Sequence, residues 1–493
     1  MWNPEYLQQV IRDQLSDYRL IVVSNRQPYS HVSEAGKIIC RRQPGGLVTA
    51  LMPVMEAVHG TWIALGTSPY DRFAVDSKGR VQLPPEKPSY TLRRIFLSKQ
   101  EMDAYYYGYC NEGLWPLSHI SYTRPHFRAA DWKAYERANE VFAQAILEEI
   151  GDDKAFVWVQ DYHLILVAKY LKLAGRANII TSLFWHIPWP NPETFGICPQ
   201  KKEILEGLLA YDLLGFQIRY HGDNFLAAVD REIESRIDRE KNSVIYQAHE
   251  TQVRPFPISI DGQAIASQAD SEASQARGAA LREALLLGDR KLVLGVDRID
   301  YTKGIPDKLR AIDRFLEKYP QYHEKVVFVE VGELSRIRLA CYKRLNEELS
   351  DLADEINWKH SKGAWTPIVL IRSYVPYADI LAFYRSAEIC VVSSLHDGMN
   401  LVAKEFVASR PDLGGVLVLS RFTGAARELT DALLINPYDP ESFADVLAQA
   451  LEMPEEEKQK RMQKMREVVE KNNIYRWAGK TLSQLLRFEF QEV

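Results

Sequence analysis

Two stretches of this chain combine charge with loop character in a way that could hold an anion. Arg298 and Lys303 fall in Asp297-Arg298-Ile299-Asp300-Tyr301-Thr302-Lys303-Gly304, directly after the apolar run Leu292-Val293-Leu294-Gly295-Val296. Two cations straddling a tight loop suit the charge of a departing diphosphate, and a plain solvated loop has the same composition. The second stretch, residues 389–408, opens with Ile389-Cys390-Val391-Val392, short and β-branched enough for a strand covered on both faces. Asn400 stands at an N-cap position, and Leu401, Val402, Ala403, Glu405, Phe406 and Val407 continue at helical spacing. The intervening Asp397-Gly398-Met399 would lie between the carboxyl end of a parallel strand and the amino end of a helix. Open α/β sheets receive ligands there, and free N–H groups favour an anion. Carboxylates at Asp397 and Glu405 suit sugar or ribose hydroxyls; an ordinary connection with a capping Asp fits the spacing equally well.

The first half repeats the pattern with fewer charges. Leu20-Ile21-Val22-Val23 leads to Ser24-Asn25-Arg26, Phe156-Val157-Trp158-Val159 to Gln160-Asp161-Tyr162-His163, and the run ending Leu183-Phe184-Trp185 to His186. A single histidine at such an edge is more often structural, but three strands bring Arg26, Asp161 and His186 to one expected rim. Gly45-Gly46 precede the apolar helix Leu47-Val48-Thr49-Ala50-Leu51-Met52. So bare a start either lets a phosphate approach backbone N–H groups or makes a flexible turn. Residues 105–115, with Tyr106, Asn111 and Trp115 among them, fit both a core with satisfied hydroxyls and a sugar pocket.

Positioning these loops requires more than one sheet. A chain of 493 residues exceeds one ordinary core, and its strands alternate with helices in two successive series. The fold class is therefore α/β, with two doubly wound domains and a cleft between them. The first series exits near Val253-Arg254-Pro255-Phe256-Pro257-Ile258, where two prolines punctuate the chain. Residues 262–278 have linker or exposed-helix composition, and the second series starts at 291. Residues 454–471 read as a solvated helix with acids first and bases last, and 474–490 are amphipathic and must pack somewhere.

Composition excludes several classes of function. A net charge of −5 and the lack of a polybasic arm argue against nucleic acid. The charged first residues are not a signal peptide, and no apolar run approaches the roughly 18 residues of a membrane span, so a cytoplasmic protein is expected. The five cysteines form no CxxC pair, which indicates neither a disulfide framework nor a zinc site.

Many blocks in order make the pattern specific: Ser24-Asn25-Arg26, Gly45-Gly46-Leu47, Asn111 to Pro116, Gln160 to Leu164, His186 to Pro190, Asp212 to Gln217, Asp297 to Gly304, Ser335-Arg336, His396 to Val407, and Asn436 to Asp439. Through them the chain resembles the trehalose-6-phosphate synthase family of retaining GT-B glycosyltransferases along nearly its whole length. The resemblance implies two Rossmann-like domains, residues 1–258 for the acceptor and 259–473 for the nucleotide-sugar donor, with helix 474–493 returning to the first. It implies glucosyl transfer from UDP-glucose to glucose 6-phosphate, giving α,α-trehalose 6-phosphate and UDP.

By the same analogy Arg298 and Lys303 bind the diphosphate and Glu405 the ribose. The backbone of Asp397, Gly398, Met399, Asn400 and Leu401 takes the phosphates and glucose, with Gly45 and Gly46 over the phosphates. His186 contacts the transferred glucose, and Arg26, Tyr106, Trp115, Asp161 and Arg336 hold the acceptor. Arg298, Lys303, Asp161 and His186 are the implied catalytic group. The chain has no Asp-x-Asp, in keeping with a family that needs no metal and no other cofactor. The partners implied are small-molecule substrates, with no nucleic acid or membrane, and a homo-oligomer stays open. Three departures stand out: His396 where the family often has Arg, Gln27-Pro28-Tyr29 in the first loop, and no second Trp in Thr61-Trp62-Ile63-Ala64-Leu65-Gly66. Glucosylglycerol-phosphate synthases share the scaffold, so a glycerol phosphate acceptor is the alternative.

Overall fold

The apolar runs form parallel strands because each is covered on both faces and has only its backbone left to pair. The computed structural model describes residues 2–15, 18–43 and 46–488. Contacts divide it into two compact units, Met1–Ile258 with Ile474–Val493, and Ser259–Asn473.

The first unit contains β1 (Arg19–Ser24), β2 (Tyr29–Glu34), β3 (Lys37–Arg42), β4 (Thr61–Leu65), β5 (Arg80–Leu83), β6 (Tyr90–Ile95), β7 (Ala155–Gln160), β8 (Ile179–Trp185), β9 (Leu213–Phe216), β10 (Arg236–Asp238), β11 (Ser243–Tyr246) and β12 (His249–Pro255). All but the hairpin β2-β3 join one sheet in the order β10-β11-β12-β9-β8-β7-β1-β4-β6-β5. Pairing is parallel from β12 to β6 and antiparallel at both edges. From β1 the chain builds outward to β4 and β6, then returns to β1's other side with β7. The strand order therefore reverses between β1 and β7, whose last residues Ser24 and Gln160 are in register. Helix Ile474–Leu485 packs on this unit, against helices Pro4–Leu15 and Gly46–Val58. Its Trp477 ring lies 4.7 Å from Trp158 of β7 and 5.1 Å from Phe184 of β8.

The second unit contains β13 (Lys291–Arg298), β14 (Val326–Glu333), β15 (Ile368–Ile371), β16 (Ile389–Val392), β17 (Val416–Ser420) and β18 (Leu433–Ile435), in the order β15-β14-β13-β16-β17-β18 and parallel throughout. Its switch point lies between β13 and β16, where Leu294 pairs with Cys390.

Two details differ from the sequence expectation, at Arg298 and in helix Glu455–Lys471, and residues 262–278 take the helical of their two expected forms. Arg298 ends a strand instead of sitting in a loop, because Asp297 and Arg298 still pair with Gly332 and Glu333 of β14. Residues 262–278 fall in two capped helices, Gly262–Ala269 and Glu272–Ala284, with Asp261 and Ser271 accepting from the third residue of each. Helix Glu455–Lys471 is not solvated all round: it buries Lys458, Met462, Met465 and Val469.

Candidate active site

In the second unit the loops after β13 and β16 interlock. Leu395 N donates to Thr302 O at 2.8 Å and Ser393 Oγ to Lys303 O at 2.9 Å. Gly304, at φ +62°, closes the short turn Tyr301–Lys303; a Cβ there would meet Ser393 O at 2.5 Å. Lys303 Nζ thereby reaches Asp397 Oδ2 at 2.6 Å, and Asn400 Nδ2 donates to the same oxygen at 3.2 Å. Burial opposes charge on Lys303, but the carboxylates of Asp397 and Asp297 outweigh it and raise its pKa, so it stays cationic.

Asn400 adopts φ +84° and caps helix Leu401–Ala408, its Oδ1 accepting from Ala403 N at 3.0 Å. A non-glycine residue there is strained; using both ends of the amide offsets that strain. Gly398 and Met399 lie against the loop after β17: Ala425 N donates to Met399 O at 2.8 Å, and a Cβ on Gly424 would stand 2.0 Å from Gly398 O. Burial pushes the Glu405 carboxyl up to about 7, with Tyr384 OH 3.3 Å from Oε2. Burial also lowers His396 to about 4, against the opposing pull of Asp397, so this imidazole is neutral.

Beneath β13 lies a group that sequence reasoning missed. Lys308 Nζ is 2.7 Å from Glu330 Oε2 and 3.3 Å from Asp297 Oδ2, all three buried. Gly295 makes room for them, since a Cβ there would overlap Glu330 Oε2 at 1.9 Å. The signal was present in the sequence. Lys308 falls on the stripe Ile305, Leu309, Ile312 of helix Ile305–Lys318, and Glu330 interrupts the apolar β14. Arg336, at φ +47°, donates from Nη1 to Asp300 Oδ2 at 2.9 Å.

The first unit's rim combines neutral hydrogen-bond partners with the carboxylates of Asp161 and Asp71. Ser24 Oγ donates to Arg26 O at 2.6 Å and accepts from Trp62 Nε1 at 2.7 Å, fixing a bend that leaves Arg26 exposed. Gln27 turns inward, donating to Asp71 Oδ2 at 2.7 Å and accepting from Arg94 Nε at 2.8 Å; its departure from the family pattern serves this buried network. Asp161 sits at φ +72°, ψ 171°, a conformation normally left to glycine, and its Oδ1 accepts from His186 N at 3.1 Å. Burial lowers the His186 pKa to about 3, and its Nε2 is 2.8 Å from Gln160 Oε1. The imidazole is thus neutral, donating from Nε2 and leaving Nδ1 as an acceptor.

Asp103–Leu114 is a wide π-type helix, a form that favours functional sites. Sequence periodicity gave no sign of it. Asn111 Nδ2 donates to Tyr106 O, five residues back, at 2.6 Å. Tyr106 stacks on His163 at 5.8 Å, His163 lies 4.0 Å from Tyr162, and Tyr162 6.0 Å from Trp115. The structure therefore joins Tyr106 and Trp115 to the Asp161 loop by continuous ring contact. Gly46 opens helix Gly46–Val58, whereas Gly45 lies outside the described residues.

Residues 18–487 match the family model of glycosyltransferase family 20. The chain belongs to that family. A trehalose-6-phosphate synthase of Mycolicibacterium vanbaalenii is 38% identical to this family 20 chain over 94% of its length and 95% of the relative's. The α,α-trehalose-phosphate synthase [UDP-forming] of Pichia angusta is 35% identical over 95% and 99%. A solved E. coli protein bound with UDP-2-fluoro glucose superposes with a TM-score of 0.85 at 32% identity, covering 96% of this chain and 100% of that one. A Burkholderia xenovorans α,α-trehalose-phosphate synthase (UDP-forming) in complex with glucose-6-phosphate gives 0.85 at 31%, over 95% and 99%. The α/β class and GT-B architecture expected from the sequence hold for this family 20 chain. Among the described residues no cluster of three or more His, Cys, Asp or Glu could hold a metal ion, and no helix is long and apolar enough to cross a membrane.

Proposed function

We propose that this family 20 enzyme transfers glucose from UDP-glucose to glucose 6-phosphate, with retention at the anomeric carbon, giving α,α-trehalose 6-phosphate and UDP. The observation that carries this reading is the Lys303–Asp397 contact. It ties the Arg298 strand end to a capped helix N-terminus at a sheet switch point, a construction suited to a nucleoside diphosphate. Relatives named UDP-forming, and solved relatives bound with UDP-2-fluoro glucose or glucose-6-phosphate, support the choice of substrates.

In this reading Arg298, Lys303 and the helix start at Asn400 neutralise charge developing on UDP, in place of a metal ion. One such positioned donor contributes on the order of 3 kcal/mol to a transition state. The acceptor's anomeric oxygen bonds to the donor's C1 as the C1–phosphate oxygen bond breaks, and the departing phosphate oxygen takes the acceptor's proton on the same face. No residue need act as a general base, which suits His186: burial lowers its pKa to about 3 and makes it a poor base, and with Nε2–H on Gln160 its Nδ1 is left to accept a hydrogen bond from a glucose hydroxyl. Glu405 receives the ribose hydroxyls. Arg26, Tyr106, Trp115, Asp161 and Arg336 bind the sugar phosphate, with cations for its phosphate and rings for its sugar face.

The test is UDP release from UDP-glucose with glucose 6-phosphate or glycerol 3-phosphate, with and without EDTA. Turnover with glucose 6-phosphate that survives EDTA, and an α,α-linked product by NMR, is expected. Turnover with glycerol 3-phosphate alone overturns the acceptor assignment, and EDTA-sensitive turnover overturns the metal-free mechanism.

A further inference from the structure

Asp300 stands between two groups that the proposed reaction uses separately. Its carboxylate is fully buried, and its two oxygens face different partners. Oδ1 accepts from Thr302 N at 3.1 Å and Thr302 Oγ1 at 2.9 Å, capping the turn that carries Lys303. Oδ2 accepts from Arg336 Nη1 at 2.9 Å and Tyr342 OH at 2.8 Å. The Tyr342 hydroxyl in turn accepts from Arg336 Nη1 at 2.5 Å, and the Arg336 guanidinium carbon lies 5.6 Å from the Tyr342 ring centroid. A buried carboxylate held by hydrogen bonds on both sides cannot shift toward one partner without losing the other. Arg336 has further reason to depend on it: its backbone is in the left-handed region, so the side chain's direction is not set by ordinary helix or strand geometry.

We infer that Asp300 is a positioning residue with two separable tasks, its Oδ1 setting the Lys303 turn for the donor diphosphate and its Oδ2 aiming Arg336 at the acceptor phosphate. The inference rests on the substrate reading above. It predicts that the two sides of Asp300 can be weakened independently. Thr302→Val removes one hydrogen bond to Oδ1 while leaving the backbone N–H. Tyr342→Phe removes one to Oδ2 while keeping the ring beside Arg336.

Steady-state kinetics of both variants, with each substrate varied at saturating levels of the other, read the result. Thr302→Val should raise the KM for UDP-glucose about fivefold or more with that for glucose 6-phosphate nearly unchanged, and Tyr342→Phe the reverse, each loss being that of one hydrogen bond to a charged group. Asp300→Ala should raise both and depress kcat. A merely structural carboxylate would move both constants together in every variant. Equal shifts of the two KM values in Thr302→Val and Tyr342→Phe, or no shift in either, overturn the inference even if Asp300→Ala fails to fold. Absence of wild-type turnover with glucose 6-phosphate overturns the substrate reading itself, and this inference with it.

Discussion

Beside β13 and β16 the polar groups are ionic: Lys303 on Asp397, Lys308 between Glu330 and Asp297, Arg336 on Asp300. Beside β1 and β7 neutral partners carry more of the contact: His186 with Gln160, Tyr105 OH on Asn25 Oδ1 at 2.8 Å, and the rings from Tyr106 to Trp115, while the Asp161 carboxylate accepts from His186 N and the buried Arg94–Asp71 pair lies behind Gln27. Both sheets reverse strand order there and both use a strained residue, Asn400 in one and Asp161 in the other. The difference teaches that a switch point supplies only a place. A diphosphate has to be met by fixed cations whose own burial must be compensated by carboxylates, whereas a sugar is met by oriented hydrogen-bond partners and flat apolar faces.

The comparison can be broken at several points. Lys308→Met should have the largest effect, because it leaves Glu330 buried without its cation and Asp297 with only the neighbouring Lys303. A loss of about 3–5 kcal/mol in chemical denaturation is expected, and a change under about 1 kcal/mol would mean that the ionic floor under β13 is not needed. Arg298→Ala should cut UDP release about 10²- to 10³-fold with thermal stability nearly unchanged; an unaltered rate removes Arg298 from the mechanism.

Glu405 comes next. Its carboxyl sits at about 7 in the fold against 4.5 as an ordinary Glu, so the folded state binds the extra proton between those values. Its stabilising contribution is complete below pH 4.5 and is lost as pH rises to 7, by up to about 3 kcal/mol. Glu405→Gln should flatten that slope in stability measured across this range. Donor affinity should run the other way in the wild type, rising through pH 7 as the carboxylate proposed to accept the ribose hydroxyls forms. The smallest effect is expected from Tyr106→Ala: about a tenfold rise in the KM for glucose 6-phosphate, the size of one lost ring contact. An equal rise for UDP-glucose would erase the division between the two sites.

Much of this was legible in the sequence. The strands ending at Ser24, Gln160, Trp185 and Val392 are short, largely β-branched or aromatic apolar runs of strand length, and Asn400 announced its cap by standing just ahead of a helical repeat. Local pattern failed where pairing or packing decided the outcome. Arg298 is a strand residue because β14 extends alongside it, and the π-type winding of Asp103–Leu114 has no periodic signature in its residues. The second-unit helix Glu455–Lys471 looks solvated by charge count, yet Lys458 reaches Glu388 Oε1 at 2.6 Å and is buried doing so.

The sequence by itself determined the class of fold, the family, and which loops are candidates for the chemistry, because these depend on residue types at short spacing. Only the tertiary structure decided what those residues can do. Lys303 finds Asp397 across 94 positions of chain, and Lys308 finds Glu330 across a strand. Arg336 and the Lys303 turn share one carboxylate on Asp300. Charge state and direction come from such long-range partners and from burial, and neither is written in the spacing of neighbours along the chain.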